Sequence, residues 1–185
     1  MAGLSVCLFG PIQVLVDGNR AASFTYNKAR ALLAYLAVEA DRAHQRDALV
    51  GLLWPDLPND AARTNLRQAL ADLRQGIGDA SASPPYLHVT RETIQFNAGS
   101  THALDVAAFL ELTSACTVHP HRALRRCSAC AARIEQAMAL YRGDFLAELQ
   151  LVDSAPFEEW ATLHRERMRV LALENLAHLV AYHEH

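Results

Sequence analysis

Residues 61–77 place Ala62, Leu66, Ala69, Leu70, Leu73 and Ile77 at steps of three and four. That period forms one continuous apolar stripe only on an α-helix. Thr64, Asn65, Gln68, Ala71 and Gln75 fall on the opposite face, and Arg63, Arg67 and Arg74 line one flank. Such a helix must lay its stripe on other apolar elements, so the surrounding chain has to supply a core.

The segments around it can do so. Leu4–Phe9 and Ile12–Val16 are short β-branched runs split by Gly10-Pro11, and Asp17-Gly18 is a turn signal. Residues 27–40 carry Leu32, Leu33, Leu36 and Ala37 at helical spacing, with Asn27 as the expected N-cap. A shorter helix is expected over Gln45–Leu53, ended by Trp54-Pro55 because proline disfavours helix in the residue before it. Asn59 or Asp60 should cap the arginine-bearing helix, and Gly76 and Gly78 should end it. Residues 86–90 and 93–97 then flank Arg91-Glu92 as a β-hairpin. Strands, three helices and a hairpin make a winged helix-turn-helix over residues 1–100.

From Leu104 the periodicity is helical. It predicts helices over Asp105–Leu112, Ala123–Tyr141 and from Phe157 onward, the last with Trp160, Leu163, Met168, Leu171, Leu173, Leu176 and Leu179 as its apolar positions. Paired helices of this size suggest a repeat scaffold over residues 101–185. The run ends at His185 without a cap, so the chain reads as cut within a longer array. The expected fold class is mainly α with small β elements, a winged helix followed by an all-helical domain resembling tetratricopeptide repeats.

The exposed face of residues 61–77 is rich in groups that read nucleic acid. Arginine bonds guanine O6 and N7 bidentately, and asparagine or glutamine bonds adenine. Ala71 is small enough for close approach to a groove. Asp72 dissents: near the polar face it would repel phosphate unless it paired with an arginine or accepted from cytosine. The net charge of −3 argues only weakly against DNA. The first 100 residues hold nine basic and nine acidic side chains, whereas the remainder hold eight and eleven; a DNA surface needs local positive charge. Taken alone, the helix reads first as a solvated surface helix. The preceding short helix and the following hairpin with Arg91 at its tip favour a helix that reads DNA. Lys28 and Arg30, at the start of the first helix, are candidates for phosphate contacts.

The runs Lys28-Ala-Arg-Ala-Leu-Leu-Ala-Tyr-Leu-Ala, Leu52-Leu-Trp-Pro-Asp and Ala62-Arg-Thr-Asn-Leu-Arg-Gln-Ala-Leu-Ala-Asp-Leu-Arg resemble bacterial activators of the SARP type. The runs at Leu104–Phe109, Leu140–Leu146 and Phe157–Trp160 are similar to their bacterial transcriptional activator domain. The resemblance implies an OmpR/PhoB-like winged helix whose third helix enters the major groove of double-stranded DNA and whose wing meets the minor groove or backbone. It further implies binding at tandem promoter repeats, recruitment of RNA polymerase and a homodimer on DNA. No phosphate-binding loop Gly-x-x-x-x-Gly-Lys-Ser/Thr occurs.

Cys116, His119, His121, Cys127 and Cys130 lie within fifteen residues, spaced C-x2-H-x-H-x5-C-x2-C. Two thiolates spaced as C-x2-C can reach one tetrahedral ion, and Cys116 with one or both histidines would complete it. The alternative is a set of core cysteines beside loop histidines. A metal here would be structural zinc bracing the loop between two helices; the resemblance requires none. Cys7, in a strand, is expected in the core.

The other histidines form no triad, neither Gly-x-Ser-x-Gly nor His-Glu-x-x-His occurs, and Asp144 in Arg-Gly-Asp-Phe fits a turn and cap. No enzyme is expected. No apolar run approaches the ~20 residues of a membrane helix, and the start lacks the basic region of a signal peptide. The expected compartment is the cytoplasm, without a membrane partner. Two readings stay open: a DNA-binding transcription regulator, or a degenerate winged helix serving as a protein-interaction or sensor module without DNA.

Overall fold

The computed structural model describes residues 3–20, 24–120 and 126–184. The chain is mainly helical with two small sheets. Strands β1 (Leu4–Cys7), β2 (Gln13–Val16) and β3 (Asn19–Arg20) form a meander. Its turn at Asp17-Gly18 has both residues at positive φ, 54° and 80°. Helix α1 (Asn27–Val38) leads to β4 (His44–Gln45), α2 (Arg46–Leu53) and α3 (Asn59–Gly76). A 3-10 turn, Asp79–Ser81, precedes β5 (Leu87–Val89), β6 (Thr93–Phe96) and β7 (His102–Leu104). Helices α4 (Asp105–Val118), α5 (Ser128–Leu140) and α6 (Ala155–His183) complete the chain.

The first sheet has the order β3-β2-β1-β7, with β7 parallel to β1, and the second has the antiparallel order β4-β6-β5. The three-helix unit α1–α3 and the β5–β6 wing match the expected winged helix. Its core joins Leu32, Leu33 and Leu36 of α1, Leu49 and Leu53 of α2, Leu66 and Leu73 of α3 and Ile94 and Phe96 of β6, all essentially fully buried. The helix end at Gly76 sits against the Phe24 ring; a Cβ there would lie 2.7 Å from the ring, so a larger residue would displace it.

Some boundaries differ from the sequence expectation. The two-residue strands β3 and β4 and the three-residue β7 were not anticipated, because so few residues carry no alternation. Asn27, Asn59 and Asp60 cap nothing. The N-caps are Tyr26 for α1 and Pro58 for α3, and neither makes a side-chain cap bond. Helix α4 continues past Leu112 to Val118, α5 starts at Ser128, and α6 starts at Ala155 with proline in its first turn. Along α6, Met168 is buried and Leu171 partly so, but Leu163, Leu173 and Leu176 are exposed. The main neighbours of α6 are α5 and α2, and these exposed leucines lie away from them.

Polar contacts tie the winged helix to the later helices, among them those of Asp105 and Glu39. The Asp105 carboxylate, at the start of α4, accepts from the backbone N–H of Leu8 at 2.8 and 2.9 Å and of Phe9 at 3.0 Å. Glu39, just after α1, accepts from the indole Nε1 of Trp160 at 3.1 Å and lies 3.4 Å from His164 Nε2. Between these joints the Phe9 ring meets Phe109 and Tyr141, and Phe145 meets Trp160. One apolar core therefore runs from the first sheet to α6.

Candidate nucleic-acid interface

The outer face of α3 and the wing enclose an open groove of about 950 Å3. Arg63, Thr64, Arg67, Ala71 and Arg74 come from α3, Arg91 and Glu92 from the hairpin tip, and Arg46 and Asp47 from the start of α2. With Asp60, the groove holds five arginines against three carboxylates. Local positive charge thus exists in a half of the chain that is neutral overall.

The wing is built to hold its shape. β5 and β6 pair from Leu87↔Phe96 to Val89↔Ile94. At the tip, Thr90 Oγ1 accepts from the N–H of Glu92 and of Thr93, at 3.2 and 2.9 Å, which closes the turn and leaves Arg91 exposed. Arg46 anchors this tip to α2: its guanidinium donates to Thr90 O at 2.9 and 3.2 Å, and its N–H donates to Glu92 O. Sequence reasoning missed Arg46. The available signal was a cation at a helix start, where the helix dipole does not favour one.

The arginines of α3 differ in their commitments. Arg67 donates to the Thr64 hydroxyl at 2.8 Å, and that hydroxyl donates to Asp60 O. Arg63 grips Asp47 through Nε and Nη2, at 2.8–3.1 Å. Both side chains are more than half exposed, so the pair contributes little stability and phosphate can replace the carboxylate. Arg74 donates from Nε to Asp79 at 2.8 Å, and the Asp79 side chain is only 1% exposed. Asp79 also accepts from the N–H of Tyr86 and Leu87. Arg74 therefore fastens the end of α3 to the root of the wing while still lining the groove.

Four predicted contact residues lie elsewhere. Asn65 and Gln68 face a second hollow of about 440 Å3, beside Tyr26, Trp54 and residues 150–153. The reason is angular: Asn65 and Gln68 sit further round α3, toward α1. Lys28 lies in that hollow as well. Its ammonium donates to Leu53 O, pairs with Asp153 at 2.7 Å and stands over the Trp54 ring. With 14% of its side chain exposed, it is engaged within the fold rather than offered to phosphate. Arg30 is half-buried on α1 and lines neither hollow. Asp72 neither pairs with an arginine nor faces the groove. It accepts from the backbone N–H of Thr25 and Tyr26, at the start of α1.

The cysteine–histidine cluster lies at the joint of α4 and α5. One ligand atom each from His119, Cys127 and Cys130 falls within 4.8 Å of the others. Cys116 is buried near the end of α4, and its thiol donates to the backbone carbonyls of Leu112 and Cys130, at 3.6 and 3.8 Å. Burial pushes the Cys130 thiol up to about 12, with the neighbouring thiols adding to the rise. The Cys127 thiol is lowered, chiefly by hydrogen bonding to the Cys130 backbone at the first turn of α5. His121 lies outside the described residues. Cys7 is half-buried rather than enclosed in the core.

No family model matches the chain. In sequence it is 36% identical over 77 residues to the transcriptional regulatory protein EmbR of Mycobacterium bovis and of Mycobacterium tuberculosis, a match covering 42% of this chain and 20% of each relative. The matched stretch thus spans about a fifth of the length of those relatives. In structure it matches M. tuberculosis EmbR, solved in complex with a low-affinity phosphopeptide, at a TM-score of 0.73 and 25% identity. That match covers 92% of this chain and 44% of the other. Among the described residues no helix is long and apolar enough to cross a membrane. In sequence over 77 residues and in fold over 92% of its length the chain is similar to EmbR, and this likeness supports its resemblance to the SARP-type regulators.

Proposed function

We propose that the chain is a sequence-specific, double-stranded-DNA-binding transcription regulator whose reading unit is the winged helix of residues 1–100. The observation that carries this reading is the groove between α3 and the wing, where Arg46, Arg63, Arg67, Arg74 and Arg91 converge. Arg67, Thr64 and Ala71 form its floor on α3, so they are assigned to base edges in the major groove. Arg91 and Arg63 are assigned to phosphate, where they position the protein without reading sequence. Extended by the resemblance, the function is activation at tandem promoter repeats as a homodimer that recruits RNA polymerase. The EmbR relatives, named as transcriptional regulatory proteins, support the regulatory part of this reading.

A protein-interaction module without DNA is the competing reading, favoured by the carboxylates that already hold Arg63 and Arg74. Selection of genomic fragments on the purified chain separates the two. The regulator should enrich a recurring duplex motif, and Arg67→Ala should lose that enrichment. Equal recovery of all fragments by both proteins would leave the interaction module.

A further inference from the structure

We propose that Cys116, His119, Cys127 and Cys130 hold one structural zinc ion that clips the end of α4 to the start of α5. This site is independent of the DNA groove. Its donors come in two pairs, each spaced i, i+3. Cys116 lies in the last turn of α4 and His119 is the extended residue that ends it, and Cys127 and Cys130 occupy the N-cap and the third position of α5. Packing of α4 against α5 brings the two pairs together. The Cys116 thiol donates to the backbone carbonyl of Cys130 at 3.8 Å, so it already reaches across from α4 to the first turn of α5.

The geometry is near that of a tetrahedral ion. Zinc–sulfur and zinc–nitrogen bonds of ~2.3 and ~2.0 Å put ligand atoms about 3.5–3.8 Å apart. Here His119, Cys127 and Cys130 have them within 4.8 Å, so a shift of about an ångström inward brings these three to bonding distance of one ion. Cys116, outside that group of three, turns its thiol from the Leu112 and Cys130 carbonyls to supply the fourth position, and a closed site with four protein ligands is structural rather than catalytic.

The cluster is also placed where a clip has an effect. Cys116, Cys130 and Ile134 form a small core of their own, and Leu179 of α6 packs against it. Among the residues of these cores Met138 packs against both, so the joint leans on the main core through one side chain. Metal bonds would lock α4 to α5 and give the far end of α6 a fixed floor.

The test is metal content and cobalt titration of the reduced 185-residue chain. We expect about one zinc per chain by elemental analysis. Cobalt should give the intense thiolate absorption of a tetrahedral centre, displaced by zinc. Cys127→Ser/Cys130→Ser should bring zinc below about 0.2 per chain. His119→Ala and Cys116→Ser should each weaken cobalt binding at least about tenfold, whereas His121→Ala should not. Less than about 0.2 zinc in the wild-type chain, with no cobalt–thiolate absorption, would overturn the site without reference to the folding of any variant. Full zinc retained by the double variant would overturn it too, as would a cysteine pair found oxidised to a disulfide under reducing purification. Loss of binding on His121→Ala with none on His119→Ala would overturn this ligand set.

Discussion

The Asp72 carboxylate, on the helix that lines the DNA groove, accepts hydrogen bonds from the Thr25 N–H at 2.9 and 3.2 Å. The Tyr26 N–H donates to it as well, at 3.2 Å. Tyr26 is the N-cap of α1 and has no side-chain cap of its own. Asp72 thus supplies from α3 the acceptor and the negative charge that the start of α1 lacks. Asp72→Ala is expected to cost about 0.5–2 kcal/mol in urea unfolding, the range of a lost helix cap. Its affinity for duplex DNA should stay unchanged. A gain in affinity with no loss of stability would instead mean that Asp72 acts as a phosphate repellent.

Arg67 and Arg91 are expected to differ in how they fail. Arg67→Ala should cost ~1–3 kcal/mol on the preferred sequence and relax discrimination there. Arg91→Ala should weaken all sequences alike and reduce the salt slope by about one. Lys28→Ala should leave the slope unaltered, because Asp153 already holds that ammonium. Anisotropy titrations of matched and mismatched duplexes over a salt series distinguish these outcomes.

Asp47 restrains Arg63 through an exposed pair. Asp47→Asn should release the guanidinium and remove a negative charge from the groove. We expect duplex affinity to rise and the salt slope to steepen by up to about one, with stability changed by less than about 1 kcal/mol. Unchanged binding in the same titration would show that Arg63 does not reach phosphate.

Arg74 has a structural duty that Arg67 lacks. Its partner Asp79 is buried and also accepts from Tyr86 and Leu87. Arg74→Ala leaves that carboxylate without its cation, at an expected cost of about 1–3 kcal/mol. Asp79→Ala leaves two buried N–H groups unsatisfied and should cost at least as much. Thermal and urea unfolding should separate both variants from Arg67→Ala, which should unfold like the wild type.

His164 gives the joint with α1 a pH dependence. Burial among Phe145 and Trp160 lowers its pKa below 6.5, and the nearby Glu39 carboxylate offsets part of that shift. The folded chain therefore prefers the neutral ring, while the unfolded chain takes up a proton at a higher pH. The stability from the neutral ring is fully present above about pH 6.5 and is lost as pH falls through the lower folded value. Denaturant unfolding from pH 7.5 down to pH 5 should show this decline, and His164→Phe should flatten it. An identical decline in the variant would assign the effect to another group.

Elements whose period is long enough to read are legible in the sequence alone. The stripe from Ala62 to Ile77 specified α3, and Ala62, Leu66, Ala69, Leu70 and Leu73 are buried as the period selected, with Gly76 buried besides and Ile77 capping the helix. The hairpin around Arg91-Glu92 followed from two apolar runs and a polar tip. The C-x2-C spacing sets Cys127 and Cys130 one helical turn apart, and the fold keeps their ligand atoms near each other. Tertiary structure decided what periodicity does not encode. A helical wheel treats a whole polar face as equivalent, yet packing against α1 turned Asn65 and Gln68 toward the second hollow and engaged Asp72 with Thr25. A charge count treats arginines as equal, yet Asp79 took Arg74 while Arg67 found only a hydroxyl. Two-residue strands such as β4 exist only because β6 offers them hydrogen-bonding partners. Local sequence encodes each residue's intrinsic preference and repeat; which partner finally satisfies a polar group depends on elements brought together from distant parts of the chain.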